Sequence, residues 1–202
     1  MTQKNNIFEH IFYEISQYLY TFDILRNTKK RVKCQVLFNC IWDSHFIHLR
    51  NLKDFFLNTK NENEKKTGND DIVLGTILVP SLIDKCALSK KDLEYNDDNS
   101  HTLNKEQVTY PMIINKSVEH LTLKRTNPWG LSISMSDLQN KTIDNMFRVL
   151  FPLVVNFLHL LENLDNVNPL YREDLSGYKD KLHHMTNKLL PYISTTYNLI
   201  TQ

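Results

Sequence analysis

The chain has 202 residues, of which 41 % are hydrophobic, and it carries 24 basic and 23 acidic side chains for a formal net charge of +1. This length and apolar content suffice for one domain with a hydrophobic core and exclude a disordered chain. The balanced charge gives no argument for non-specific attraction to nucleic acid or to a membrane surface.

Glycine is scarce, with four residues in the whole chain, and the turn dipeptides Asn-Gly and Asp-Gly do not occur. This argues against a turn-rich β fold. We therefore predict an all-α protein, in which residues 1–202 form a single helical domain of about five to six helices.

Cysteine usage and the N-terminal residues bear on the compartment. Three cysteines without a Cys-x-x-Cys pair argue against a disulfide framework or a cysteine zinc site. The first residues lack an apolar signal core, and no run reaches the roughly 18 apolar residues of a membrane span. These features predict a cytoplasmic protein without a membrane partner.

Two long helices are predicted first, over residues 5–27 and 30–57, because apolar side chains recur every three or four residues. The join near Thr28 is very short, which predicts an antiparallel hairpin. The side chains of the second helix expected to point inward are Val32, Val36, Leu37, Cys40, Ile41, Ile47, Leu52 and Phe55.

Two polar stretches without periodicity, near residues 58–71 and 94–104, are predicted to be mobile surface loops. Between them, residues 72–79 are apolar and β-branched, which fits either a buried irregular segment or a short helix. The second loop leads into a helix that ends with residues 112–124.

The C-terminal third predicts two further long helices. The first covers residues 134–164, where Pro152 should introduce a kink or a break. A connector over residues 166–177 leads to a last helix over 178–200, with Pro191 as a second kink.

Residues 43–55 place two histidines, an arginine, an asparagine and two carboxylates on one apolar-faced helix, although buried polar groups require partners. At 100° per residue, His48 falls in the middle of the apolar stripe and Asn51 at its edge. Arg50 and Asp54 lie beyond that edge and can form an i, i+4 salt bridge. His48 is then either a core histidine bonded to a neighbouring helix or part of a polar site.

A second polar helix face is predicted within residues 113–125. Lys116 and His120 are four residues apart and share a face, with Asn115 nearby. These groups either form a solvated surface or meet the polar edge of the second helix across the bundle.

These two segments resemble a group of uncharacterised bacterial proteins of about this length, which carry the patterns His-x-Arg-Asn-Leu-x-Asp-Phe and Ile-Asn-Lys-x-Val-x-His-Leu-Thr-x-x-Arg. The resemblance implies no function. The matching residues are His48, Arg50, Asn51, Leu52, Asp54 and Phe55, then Ile114, Asn115, Lys116, Val118, His120, Leu121, Thr122 and Arg125.

More distantly, the layout is similar to HEPN helical bundles (higher eukaryotes and prokaryotes nucleotide-binding), many of which are metal-independent, dimeric ribonucleases of phage-defence and toxin–antitoxin systems. Their motif is an arginine followed after four to six residues by a histidine. The arginine holds the scissile phosphate and the histidine transfers protons. No arginine here precedes a histidine at that spacing; the nearest pairs are Lys116–His120 and the reversed His45–Arg50. A lysine holds phosphate as a point charge and not bidentately.

Two hypotheses about function follow, and whether the chain is an enzyme stays open between them. The first is a non-catalytic helical interaction module, in which the polar seam fixes the register of the helices. The second is a HEPN-like RNA-cleaving or RNA-binding protein. For that hypothesis the candidate catalytic residues are Arg50, Lys116 and His120, and the candidate binding residues are His48, Asn51, Asp54 and Asn115.

The sequence suggests neither a metal nor a cofactor, because it lacks His-Glu-x-x-His, a Walker loop and Gly-x-Gly-x-x-Gly. As partners, a second copy of the chain, RNA and another protein all stay open.

Overall fold

The computed structural model describes residues 7–27, 34–57, 73–94, 109–118 and 135–201. These residues are mostly helical and form no strands beyond two isolated bridges, so the all-α prediction is confirmed. The helices are α1 (Ile7–Asn27), α2 (Gln35–Leu57), α3 (Leu74–Ile77), α4 (Tyr110–Val118), α5 (Met135–Leu161), α6 (Arg172–Ser176), α7 (Lys179–His184) and α8 (Leu190–Thr201).

Helices α1 and α2 pack against each other along their lengths, as the hairpin prediction requires. Thr21 of α1 contacts His45 of α2, whereas Glu14 contacts His48 further along α2. The contacts move towards the N-terminus of α1 as they move towards the C-terminus of α2, so the two helices run antiparallel. The join at residues 28–33 lies outside the described residues.

Helix α1 buries one continuous apolar face, since its apolar side chains recur at three- and four-residue steps. Phe22 stacks on Phe147 of α5, with ring centroids 3.5 Å apart and planes 9° from parallel. The buried residues of α1 are Phe8, Ile11, Phe12, Ile15, Tyr18, Leu19, Thr21, Phe22 and Leu25.

Helix α5 packs against α4 and α2 and continues through Pro152 without ending, so the predicted break does not occur. It contacts α2 near its C-terminus, where the rings of Phe157 and Phe55 meet edge to face. Within the described ranges α5 is also long and apolar enough to cross a membrane. Core helices of soluble proteins meet the same criteria, so this is weak evidence for a span.

For residues 72–79 the sequence allowed a buried irregular segment or a short helix. The structure has the short helix α3 there, and its four residues are all buried. The chain beside it is held by the connector between α5 and α6. Val79 donates its backbone N–H to the carbonyl of Asn166, and Asn168 donates its own to the carbonyl of Ile77. The loops predicted near 58–71 and over most of 94–104 lie outside the described residues.

The last helical stretch combines α7, a π-helical turn at Met185–Leu189, and α8. In that turn Leu190 donates its backbone N–H to the carbonyl of Met185, five residues earlier. Pro191 follows directly and has no N–H to continue an α-helical ladder. The irregularity predicted at Pro191 is therefore a widened turn just before it.

The inward face predicted for α2 is wrong for four of its residues, which are exposed. Val36, Leu37 and Ile47 are 71 %, 53 % and 37 % exposed, and Cys40 is exposed as well. Only Leu52 and Phe55 of the predicted set are buried, Ile41 is half-buried, and Val32 lies outside the described residues. The residues of α2 that are buried are His45, Phe46, His48, Leu49, Leu52, Lys53, Phe55 and Phe56.

Candidate functional site

The polar side chains of α2 face α1 and find partners there. His45 is fully buried, and its Nδ1 lies 3.0 Å from Thr21 Oγ1. The Thr21 hydroxyl donates to the carbonyl of Gln17 at 2.6 Å. Since a hydroxyl has one proton, we assign the proton of the His45–Thr21 bond to Nδ1 of His45.

Burial sets the charge of His45. Desolvation, followed by the nearby charges of Arg26 and His48, lowers the pKa of His45 from its ordinary 6.5 to about 3. The ring is thus neutral at physiological pH. Its Nε2 is buried without a partner among the described residues.

Tyr18 lies beside this histidine and is equally buried. Its ring stacks on His45 with centroids 5.1 Å apart, and on Phe147 of α5 at 5.8 Å. Its phenol oxygen has no hydrogen-bond partner among the described residues, and desolvation raises its pKa well above the ordinary value. The pair is therefore an aromatic core element that carries two polar atoms without a partner in the part of the chain that the structure describes.

His48 and Asn51 share one acceptor on α1. Glu14 Oε2 lies 2.7 Å from His48 Nδ1 and 3.2 Å from Asn51 Nδ2. A carboxylate accepts hydrogen bonds, so His48 donates to Glu14 through Nδ1. The other ring nitrogen, Nε2, takes no part in this bond. The ring of Tyr13 meets His48 edge to face at 5.6 Å. The core-histidine interpretation of His48 thus has a specific partner, which the sequence analysis did not identify.

Arg50 and Asp54 lie on the other side of α2. Asp54 forms an ion pair with its neighbour Lys53, whose Nζ lies 2.7 Å from Oδ1 of Asp54. Arg50 is half-buried. Because two residues along a helix turn about 200°, Arg50 and His48 point in nearly opposite directions. The structure therefore does not bring these two candidates together.

The partner segment of the second helix is described only as far as Val118 in α4. Asn115 is exposed there. The side chain of Lys116 and the whole of His120 lie outside the described residues. The expected meeting of Arg50 with Lys116 and His120 stays a prediction.

A second polar cluster, which sequence analysis missed, joins α1 to α5. Arg26 Nε lies 2.6 Å from Asp144 Oδ1, and the guanidinium also donates to the side chain and carbonyl of Asn140 at 3.3 and 3.1 Å. It lies over the ring of Phe22 at 5.8 Å. Burial lowers the pKa of Arg26, and the Asp144 carboxylate opposes that shift. The cluster holds the C-terminal end of α1 against α5.

Metal-ligating groups do not converge in the part of the chain that the structure describes, where no three histidine, cysteine or carboxylate side chains form a metal-binding group. His183 and His184, at the end of α7, are exposed.

No protein-family model, curated protein or solved structure matches this chain. The resemblances drawn from residues 48–55 and 114–125 thus stay predictions.

Proposed function

We propose that the protein is a helical interaction module that binds a protein partner through the solvent-facing side of α2. One observation carries the proposal: α2 leaves apolar side chains in solvent on one side, whereas polar side chains on its other side are bonded to α1. His48 and Asn51 are engaged by Glu14 of α1, whereas Val36 and Leu37 are more than half exposed.

The inward polar groups argue for a structural role of the seam. A hydrogen bond across two packed helices specifies one register, because a shift by one residue would leave buried groups unpaired. The outward apolar groups argue for binding, since removal of such surfaces from water drives association.

The test is site-specific photo-crosslinking in cells that express the chain. A photoreactive phenylalanine at position 36 should yield a defined crosslinked protein, identified by mass spectrometry. The matched control is position 170, where Leu170 has 74 % exposure. Products that are the same from both positions, or none from position 36, would contradict the proposal.

A second candidate is RNA cleavage by a HEPN-like bundle. The Glu14–His48 pair favours it, because a carboxylate on Nδ1 orients the ring and leaves Nε2 to transfer a proton, on the side of α2 opposite to Arg50. Arg50, Lys116 and His120 remain the proposed catalytic residues, and Asn51, Asp54 and Asn115 the proposed binding residues.

This alternative is tested by RNA degradation with the wild type, Arg50→Ala, His120→Ala and His48→Gln, each checked for folding by circular dichroism. Cleavage by the wild type that is lost in the three variants supports it. Equal, background-level cleavage by all four proteins excludes it and leaves the interaction module.

A further inference from the structure

The solvent-facing side of α2 has a regular spacing. Six residues at alternating steps of four and three lie along the same side of the helix, with the spacing of heptad contact positions, and three of them are charged. All six are exposed or half-buried. We call this set the outer α2 face; it consists of Val36, Cys40, Asp43, Ile47, Arg50 and Asp54.

The order of charges on the outer α2 face distinguishes between partners. Asp43 lies one turn before Ile47 and Arg50 about one turn after it, so opposite charges flank an apolar residue. A parallel copy would place Asp43 against Asp43 and Arg50 against Arg50. An antiparallel copy that crosses near Ile47 brings each Asp43 next to Arg50 of the partner subunit.

We propose that a second copy of the chain occupies the outer α2 face, as an antiparallel pair of α2 helices centred on Ile47 with two reciprocal Asp43–Arg50 ion pairs. This inference rests on the proposed function and names its partner. The face is about 27 Å long at 1.5 Å per residue, so a single helix pair buries little area. The dimer is therefore weak and concentration-dependent.

Sedimentation velocity on the full chain, from about 1 to about 500 µM, tests the pairing, since small interfaces dissociate in this range. Asp43→Arg and Arg50→Asp should each raise the dimer Kd about tenfold or more, because each places like charges opposite one another. The double variant Asp43→Arg/Arg50→Asp should return to the wild-type Kd. Asp180→Arg, the same charge change at an exposed position on α7, should leave the Kd unchanged.

A wild type that stays monomeric over the whole range overturns the inference, and so does a double variant that is no better than the single ones. The crosslinking at position 36 separates this failure from failure of the proposed function. If position 36 captures a different protein while the chain is monomeric, the interaction module stands and self-pairing falls. If position 36 captures nothing and the chain is monomeric, both fall.

Discussion

Glu14 Oε2 lies 2.7 Å from His48 Nδ1, which joins α1 to α2 through a carboxylate that is a quarter exposed and an imidazole that is almost fully buried. The same oxygen accepts from Asn51, so one side chain of α1 holds two consecutive turns of α2. Further along the same pair of helices, Thr21 and His45 make the second polar contact. Two such contacts fix both the rotation and the register of α2 on α1.

Removal of the shared acceptor should destabilise the fold. Glu14→Ala leaves two inward donors of α2 without their partner, and we expect a loss of about 1–3 kcal/mol in the free energy of unfolding. Urea denaturation at neutral pH measures it. The control, Glu173→Ala at an exposed position on α6, should change stability by less than about 0.5 kcal/mol. Equal losses in the two variants would contradict the role of Glu14.

The buried histidine predicts how stability depends on pH. The pKa of His45 is lowered to about 3 in the folded protein, against an ordinary value of 6.5. Between these values the unfolded chain binds a proton that the folded chain does not, so His45 stabilises the fold less as the pH falls. The slope is up to about 1.4 kcal/mol per pH unit below pH 6.5.

His45→Phe removes this group while keeping an aromatic ring. The difference in unfolding free energy between wild type and variant, measured in urea at pH 7.5, 6 and 5, should shift in favour of the variant as the pH drops. Parallel pH profiles for the two proteins would show that His45 does not titrate in this way.

The unpartnered phenol of Tyr18 predicts an unusual result for a core substitution. Tyr18→Phe removes a buried oxygen that has no partner among the described residues, so we expect unchanged stability or a gain of up to about 1 kcal/mol. Tyr110→Phe is the matched control, because the Tyr110 oxygen accepts from Asn145 at 2.8 Å and its loss should cost about 1 kcal/mol. Thermal unfolding compares the two. A greater loss in Tyr18→Phe would mean that its oxygen is bonded in solution.

The two halves of α2 should respond differently to the loss of apolar surface. Leu52→Ala removes a side chain that is 2 % exposed and should cost about 2–5 kcal/mol. Val36→Ser, at 71 % exposure, should change the stability of the monomer by less than about 0.5 kcal/mol. Urea denaturation at low protein concentration checks both variants. A loss above about 2 kcal/mol in Val36→Ser would place that residue in the core instead.

Sequence periodicity predicted α1 and α5 well, because each buries a long apolar face. Tyr18 and Thr21 also lie at the three- and four-residue spacing of the buried face of α1. The partner of His45 could therefore have been found from the sequence. The buried position of His48 was one of the two interpretations considered. Its partner Glu14 could not have been found in this way, since a carboxylate at the edge of a buried face looks like any solvated residue.

The rotation of α2 could not be predicted for a different reason. The exposed part of α2 includes the apolar residues Val36, Leu37 and Ile47. A periodicity argument treats every apolar residue as a candidate for the core, so it predicted the wrong side for them. The structure buries Phe46, Leu49 and Phe56 instead, because contacts with α1, α4 and α5 decide which side is covered. Apolar residues that face solvent or a partner follow the same three- and four-residue spacing as core residues.

The π-helical turn at Met185–Leu189 has a consequence for how this chain tolerates changes in length. A π turn contains one residue more than the α-helical turn it replaces, so it takes up that residue without the rotation of about 100° that an extra residue causes in a regular α-helix. A single-residue deletion within this turn removes the surplus residue and lets α7 and α8 join as one regular helix. Elsewhere in the same stretch, such a deletion turns buried side chains such as Ile193 away from the core. Residues 185–189 are thus the place in this helical stretch where the chain can lose a residue at least cost.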